Sequence, residues 1–194
     1  MEITTELIKQ LRDKTGVSIM QCKKALEEAG GDMDKATVIL LKKSAEAAVK
    51  KGDRELGAGV VESYIHNTKS VGTLVELCCE TDFVSNNEEF MKLAKDIAMH
   101  IAASNPEFLK SDDISDDVKA TVREVLIKEV EGKPEEMKEK ILAGKMDAYF
   151  AERVLLSQAF IKNPDLTIQN LIDQAIQKFG EKVVVSRFVR YAIK

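Results

Sequence analysis

The sequence predicts an α+β fold, in which a three-helix unit precedes a core made of a three-stranded antiparallel sheet, helices and a helical hairpin. Three observations carry this. The first fifty or so residues repeat apolar positions at helical spacing. Two strand-like runs then follow each other across a polar turn, as in a hairpin. A third such run stands near the C-terminus, with only helical patterns between it and the hairpin.

In the first unit, 1–52, Leu7, Ile8 and Leu11 give the opening helix its apolar stripe, and Thr15-Gly16-Val17 breaks it. Ser18 caps a second helix, with Gln21 in the reciprocal box position, and Gly30-Gly31 ends it. Asp32 opens a third helix carrying Ala36, Ile39, Leu40 and Val49. Its lysines, Lys42 to Lys51, read as a solvated face. Residues 53–59 read as a glycine-punctuated linker; Gly52, Gly57 and Gly59 mimic a phosphate loop only weakly, since no Gly-Lys-Ser/Thr follows.

The core, 60–194, opens with the runs 60–66 and 72–79, joined by Asn67-Thr68-Lys69-Ser70. Phe90, Ala94, Ile97 and Ile101 mark a helix over 86–103 that Asn105-Pro106 ends. The helical hairpin has a first arm capped at Ser115, with Val118, Val122, Leu126 and Val130. After Gly132, its second arm starts with Pro134 at the first helical position and carries Met137, Ile141, Met146, Tyr149 and Phe150. A helix from about Thr167 to Phe179 leads through Gly180 to the strand 182–191. Leu74 and Cys78 alternate with Val75 and Leu77, and Val184 and Phe188 with Val183 and Val189, so both sheet faces carry apolar side chains. One face packs on the helices and the other needs a cover, which predicts a homodimer through the sheet.

Composition narrows the function. The chain is 44% hydrophobic and 32% charged, which excludes disorder, and no apolar run approaches the roughly 20 residues of a membrane span. The start Met1-Glu2 is unlike a signal peptide, so a cytoplasmic protein without a membrane partner is expected. A net charge of −4 with interspersed signs gives no field for direct nucleic-acid binding. Cys22, Cys78 and Cys79 have neither disulfide nor metal-ligand spacing and read as small core residues, so no metal or cofactor is expected.

The segment Glu80-Thr81-Asp82-Phe83-Val84-Ser85 ends the second strand abruptly. Ser85, with Glu88 three positions on, reads as a capping box opening the next helix. Phe83 on so short a connection either folds under into the core or projects outward as a wedge for another protein. Met20 is similarly open between core filler and contact.

Leu11-Arg12-Asp13-Lys14-Thr15-Gly16-Val17-Ser18-Ile19-Met20-Gln21-Cys22-Lys23-Lys24-Ala25-Leu26 resembles the first signature of the bacterial elongation factor Ts family, and Glu80-Thr81-Asp82-Phe83-Val84 resembles its second. Further stretches are similar: Ile97 to Ala103, Gly132-Lys133-Pro134-Glu135, and Leu155 through Phe160 to Pro164. The resemblance covers nearly the whole chain. Gln21 stands where the family usually has an acid, and Lys69-Ser70 replaces a basic residue and isoleucine. The resemblance implies a ubiquitin-associated-like N-terminal domain, one core copy as in the short dimeric branch, and guanine-nucleotide exchange on elongation factor Tu without covalent catalysis. It assigns Thr81, Asp82, Phe83 and Val84 to displacing the partner's magnesium ion. It also assigns Arg12, Val17, Met20, Lys23 and His66 to partner binding, with each Tu touching both subunits of a two-plus-two complex. His100 reads as a satisfied or solvated histidine.

Overall fold

The computed structural model describes residues 3–130, 132 and 134–193, the side chains of 135 and 136 aside. Met1, Glu2 and Lys133, which entered the sequence reading, lie outside the described residues.

Helix α1 (Thr5–Thr15) is capped by Thr4, whose hydroxyl accepts from the Leu7 amide at 3.2 Å, and ends at Gly16 with φ 68°. Helix α2 (Ile19–Glu28) is capped by Ser18. Gln21 accepts from the Ser18 hydroxyl at 3.1 Å in place of the expected reciprocal bond to the backbone. Asp32 opens α3 (Met33–Lys50), accepting from the Asp34 and Lys35 amides at 3.0 Å each. Leu11, Cys22, Ala25, Leu26, Ala36 and Leu40 close a core among the three helices. The expected stripe of α3 fails at Val49, which is 81% exposed. Burial runs instead from Leu40 through Ser44 to Ala48, at fourfold spacing, and Val49 lies about 100° further round the helix. Through Ser44, whose hydroxyl donates to Gln177, α3 also packs on a core helix.

Strands β1 (Ala58–Ile65) and β2 (Val71–Cys79) form the hairpin, so the last two residues of the expected linker are strand. The C-terminal strand β5 (Val183–Ala192) pairs antiparallel with β2, giving the order β1-β2-β5. The inner face buries Val75, Leu77, Cys79, Val183 and Val185 against α5 (Glu88–Ser104) and α8 (Ile168–Phe179). A register shift between Glu76 and Leu77 leaves Ser186 as an extra residue on β5. Beyond it the parity of β5 reverses. Phe188 therefore turns inward opposite Val75, and Val189 outward opposite Leu74, correcting the strict alternation expected from the sequence.

The core also has more than three strands. Among the described residues β3 (Ala159–Phe160) and β4 (Asn163–Thr167) form a second, two-stranded sheet. Both are short, and Asn163-Pro164-Asp165 carries turn residues without alternation, which hid them. In the helical hairpin, Arg123 of α6 (Asp116–Ile127) bonds Glu139 of α7 (Glu135–Ala151) at 2.7 Å, and Lys145 of α7 bonds Glu129, in the turn just past α6, at 2.5 Å. Pro134 occupies the cap position, one before the helix, because its ψ of 138° is not helical. Leu142 fills the place expected of Met137, which lies near the free end of the hairpin and is 53% exposed.

His100 on α5 is fully buried. Its Nδ1 accepts from the Ile161 amide at 3.3 Å, so the Nε2 proton donates to Gln158 Oε1 at 2.9 Å. Gln158 in turn donates to the Glu152 carbonyl at 2.6 Å. Burial pushes the imidazole pKa below its ordinary value near 6.5, against the Gln158 bond. The unfolded chain therefore binds this proton more readily than the folded one. Stability contributed by neutral His100 is complete above the ordinary value and is lost as pH falls below it. Thermal midpoints should drop between pH 7 and pH 5, with a shallower slope for His100→Gln, measured by circular dichroism.

Candidate functional site

Strand β2 ends at Cys79, and the chain turns within three residues into one helical turn, α4 (Asp82–Ser85). Thr81 stands at its cap with φ −129° and ψ 158°, but its side chain makes no cap bond. Ser85 is not the cap of the next helix. It belongs to α4, is 7% exposed, and donates to the Asp82 carbonyl at 3.2 Å. Asn87 caps α5, accepting from the Glu89 amide at 2.9 Å.

The turn sorts its side chains by direction. Val84 is 3% exposed and anchors α4 in the sheet core, while Thr81 and Asp82 face solvent. Phe83, adjacent to the anchor, is 83% exposed, more than any other large apolar side chain among the described residues. A phenyl ring left in water forgoes roughly 1.5–3 kcal/mol that burial against a partner would recover. Beneath the turn, the Cys79 thiol donates to the Thr81 carbonyl at 3.2 Å. Burial, aided by Glu181, pushes its pKa up to about 11, so it stays a neutral donor.

The backbone before Phe83 is held from outside the turn. The Glu80 and Thr81 amides donate to Glu181 Oε2 at 3.1 and 3.0 Å, and the Thr81 hydroxyl donates to Glu181 Oε1 at 2.6 Å. The Glu80 carboxylate accepts from the Lys182 amide at 2.5 Å and from Arg54 at 3.1 Å. These donors, the Lys182 amide foremost, hold its pKa below the ordinary carboxylate value. Sequence reasoning missed Glu181, Lys182 and Arg54, because no local pattern links them to Glu80 and Thr81.

In the N-terminal helices Arg12, Lys23 and Met20 are exposed, Met20 at 71%, and Lys23 lies 3.9 Å from Glu27. Val17 is 3% exposed and packs in the three-helix core, so it supports the α1–α2 turn from within and offers little surface to a partner. That turn is brought against the first turns of α5 and the end of α8. Thr15 and Gly16 share a groove of about 160 Å³ with Glu89, at the start of α5, and with Lys178. His66 is exposed just past β1, 3.2 Å from the Tyr64 hydroxyl through Nδ1. It stands at the opposite end of the hairpin from Phe83, since Ile65 pairs with Gly72 and Ala58 with Cys79. Eight residues of strand place it roughly 25 Å away.

The outer face of the sheet presents Val61, Leu74 and Val189, at 69%, 45% and 37% exposure, together with Cys78 and Val184. Glu76 and Arg187 pair across it at 2.5 Å. Among the described residues no cluster of three or more His, Cys, Asp or Glu side chains is placed to hold a metal ion, and no helix is long and apolar enough to cross a membrane.

The family described as "Elongation factor TS" matches residues 4–194. The chain is 48% identical over 194 residues to elongation factor Ts of Thermodesulfovibrio yellowstonii, covering 100% of this chain and 97% of that protein. It is 50% identical over 192 residues to elongation factor Ts of Desulforamulus reducens, covering 98% and 88%. With that of Thermosipho melanesiensis it shares 44% over 193 residues, covering 98% of each. A match of this length and identity takes in both the exposed Phe83 turn and the Arg12–Lys23 surface, and the chain belongs to the elongation factor Ts family.

Proposed function

We propose that this protein is a guanine-nucleotide exchange factor that speeds GDP release from elongation factor Tu. The observation that carries the reading is Phe83, a large ring held in water on a turn whose next residue, Val84, is locked in the core. A P-loop GTPase holds GDP through backbone amides, a lysine and a magnesium ion on the phosphates. A partner accelerates release only if it binds the nucleotide-free shape better than the GDP-bound one, and by linkage GDP then weakens the partner equally. On this reading Phe83 enters between helices of the GTPase domain and Asp82 bonds nearby groups, displacing elements that support the magnesium. Thr81 and Val84 fix the turn. Nothing in such a cycle requires covalent catalysis or a cofactor from this chain.

The N-terminal unit, 1–52, with its ubiquitin-associated-like character, supplies the docking surface through Arg12, Met20 and Lys23, with Val17 beneath. The linker 53–59 joins it to the core, 60–194. The outer sheet face pairs two copies of the chain. Because His66 and Phe83 of one copy stand at opposite ends of the hairpin, each Tu takes its wedge from one subunit and its His66 contact from the other, in a two-plus-two complex. The setting is the cytoplasm, without direct nucleic-acid or membrane contact. In the deciding experiment, labelled GDP is released from purified Tu with increasing amounts of this protein. A concentration-dependent, saturable acceleration is expected, and an unchanged release rate at all concentrations would remove the assignment.

A further inference from the structure

The turn that presents Phe83 is closed within itself at its end, by Ser85 on the Asp82 carbonyl, but its start is held from elsewhere in the chain. Thr81 makes no side-chain cap to α4, and the two amides preceding Asp82 point at the Glu181 carboxylate, a hundred residues away in sequence. Three donors converge there, at 3.1, 3.0 and 2.6 Å. The adjoining bonds extend the arrangement to the linker. Lys182 Nζ donates to the Gly52 and Arg54 carbonyls at 2.6 and 2.9 Å, and Arg54 reaches Glu80 at 3.1 Å and the Gly180 carbonyl at 3.4 Å. Gly57 lets the linker pass close to the turn, since a Cβ there would lie 2.9 Å from the Glu80 carbonyl. Segments 52–54, 80–81 and 180–182 thus form one clasp.

We propose that Glu181 is a positioning residue for Phe83, and that the clasp it belongs to sets the wedge relative to the N-terminal docking helices. The inference rests on the exchange reading above. Hydrogen bonds to a charged acceptor are the stronger kind, and three on one carboxylate fix both backbone and hydroxyl of the residue that starts the turn. Without them the Glu80 and Thr81 amides turn to water, and Phe83 must be ordered anew at each encounter, which takes away part of what its burial gives.

The test measures GDP release from Tu as a function of factor concentration. Glu181→Ala is expected to lower the maximal rate by about tenfold while the half-saturating concentration moves less than about twofold, because Arg12, Met20 and Lys23 dock as before. Glu181→Gln is expected to restore most of the rate: its carbonyl can accept both amides and its NH2 can donate to the Thr81 hydroxyl. If Glu181→Ala fails to fold, Glu181→Asp serves. It keeps the charge, falls one methylene short, and should be slow. Phe83→Ala is run alongside. A slow Phe83→Ala with wild-type rates for Glu181→Ala and Glu181→Asp overturns the positioning role and leaves the wedge standing. So does a Glu181→Gln as slow as Glu181→Ala. A Phe83→Ala as fast as wild type overturns the wedge and this inference together.

Discussion

Phe83→Ala is expected to slow Tu-bound GDP release at saturating factor by about 10- to 150-fold, the range that corresponds to the roughly 1.5–3 kcal/mol of burying one phenyl ring. The size follows from how the ring is held. At 83% exposure it contributes little to this protein's own packing, so almost all of its burial is available to a complex. For the same reason the variant should melt within about 0.5 kcal/mol of wild type, which separates a lost lever from a lost fold. Wild-type exchange by a folded Phe83→Ala protein would refute the wedge assignment. A drop beyond the upper bound would mean that Asp82 or the N-terminal surface depends on the ring for its own placement.

The second large effect comes from two neighbours on β5. Val185 is 6% exposed and packs opposite Leu77 in the inner core, whereas Val184 lies opposite Cys78 on the outer face. Val185→Glu puts a carboxylate in place of a buried apolar side chain, at a cost of about 3–5 kcal/mol, a large share of the total stability of a domain. Its melting temperature should fall by roughly 6–20 °C. Val184→Glu should melt close to wild type yet, in the proposed dimer, set two charges face to face across the sheet interface and dissociate it. Light scattering alongside thermal melts reads both. A wild type that is monomeric at every concentration, or a Val184→Glu protein that stays dimeric, would rule out this face as the interface.

The sequence was most legible where a side chain acts on its own neighbourhood. Ser18, Asp32 and Ser115 cap the helices they were expected to cap, and Gly180 ends α8 at φ 73°. The hairpin strands follow their alternation, and the C-terminal strand follows it only as far as Val185. What escaped depends on partners distant in the chain. Ser85 and Asn87 are both plausible caps from composition; the burial of Val84 decides between them by drawing Ser85 into the preceding turn. The extra residue at Ser186 reverses the end of β5, and only pairing with β2 reveals it. The site divides in the same way. Phe83, Asp82, Met20, Lys23 and Arg12 were visible as residue types in motifs, but whether the ring faced in or out was not, and the groups that hold it lie beyond any sequence window.

The clasp also orders events in time. Helices α1 to α3 and the hairpin are closed by short connections, but the pairing of β2 with β5 joins Glu76 to Arg187, 111 positions apart, and Glu181 meets Thr81 only when that pairing is made. Closing so long a loop is the slow step of a fold like this one. A chain whose last strand has not yet docked therefore has its three helices and its phenyl ring but lacks the Glu181 bonds that hold the start of the turn. If Phe83 is the proposed wedge, such an unfinished molecule should bind Tu without speeding its GDP release.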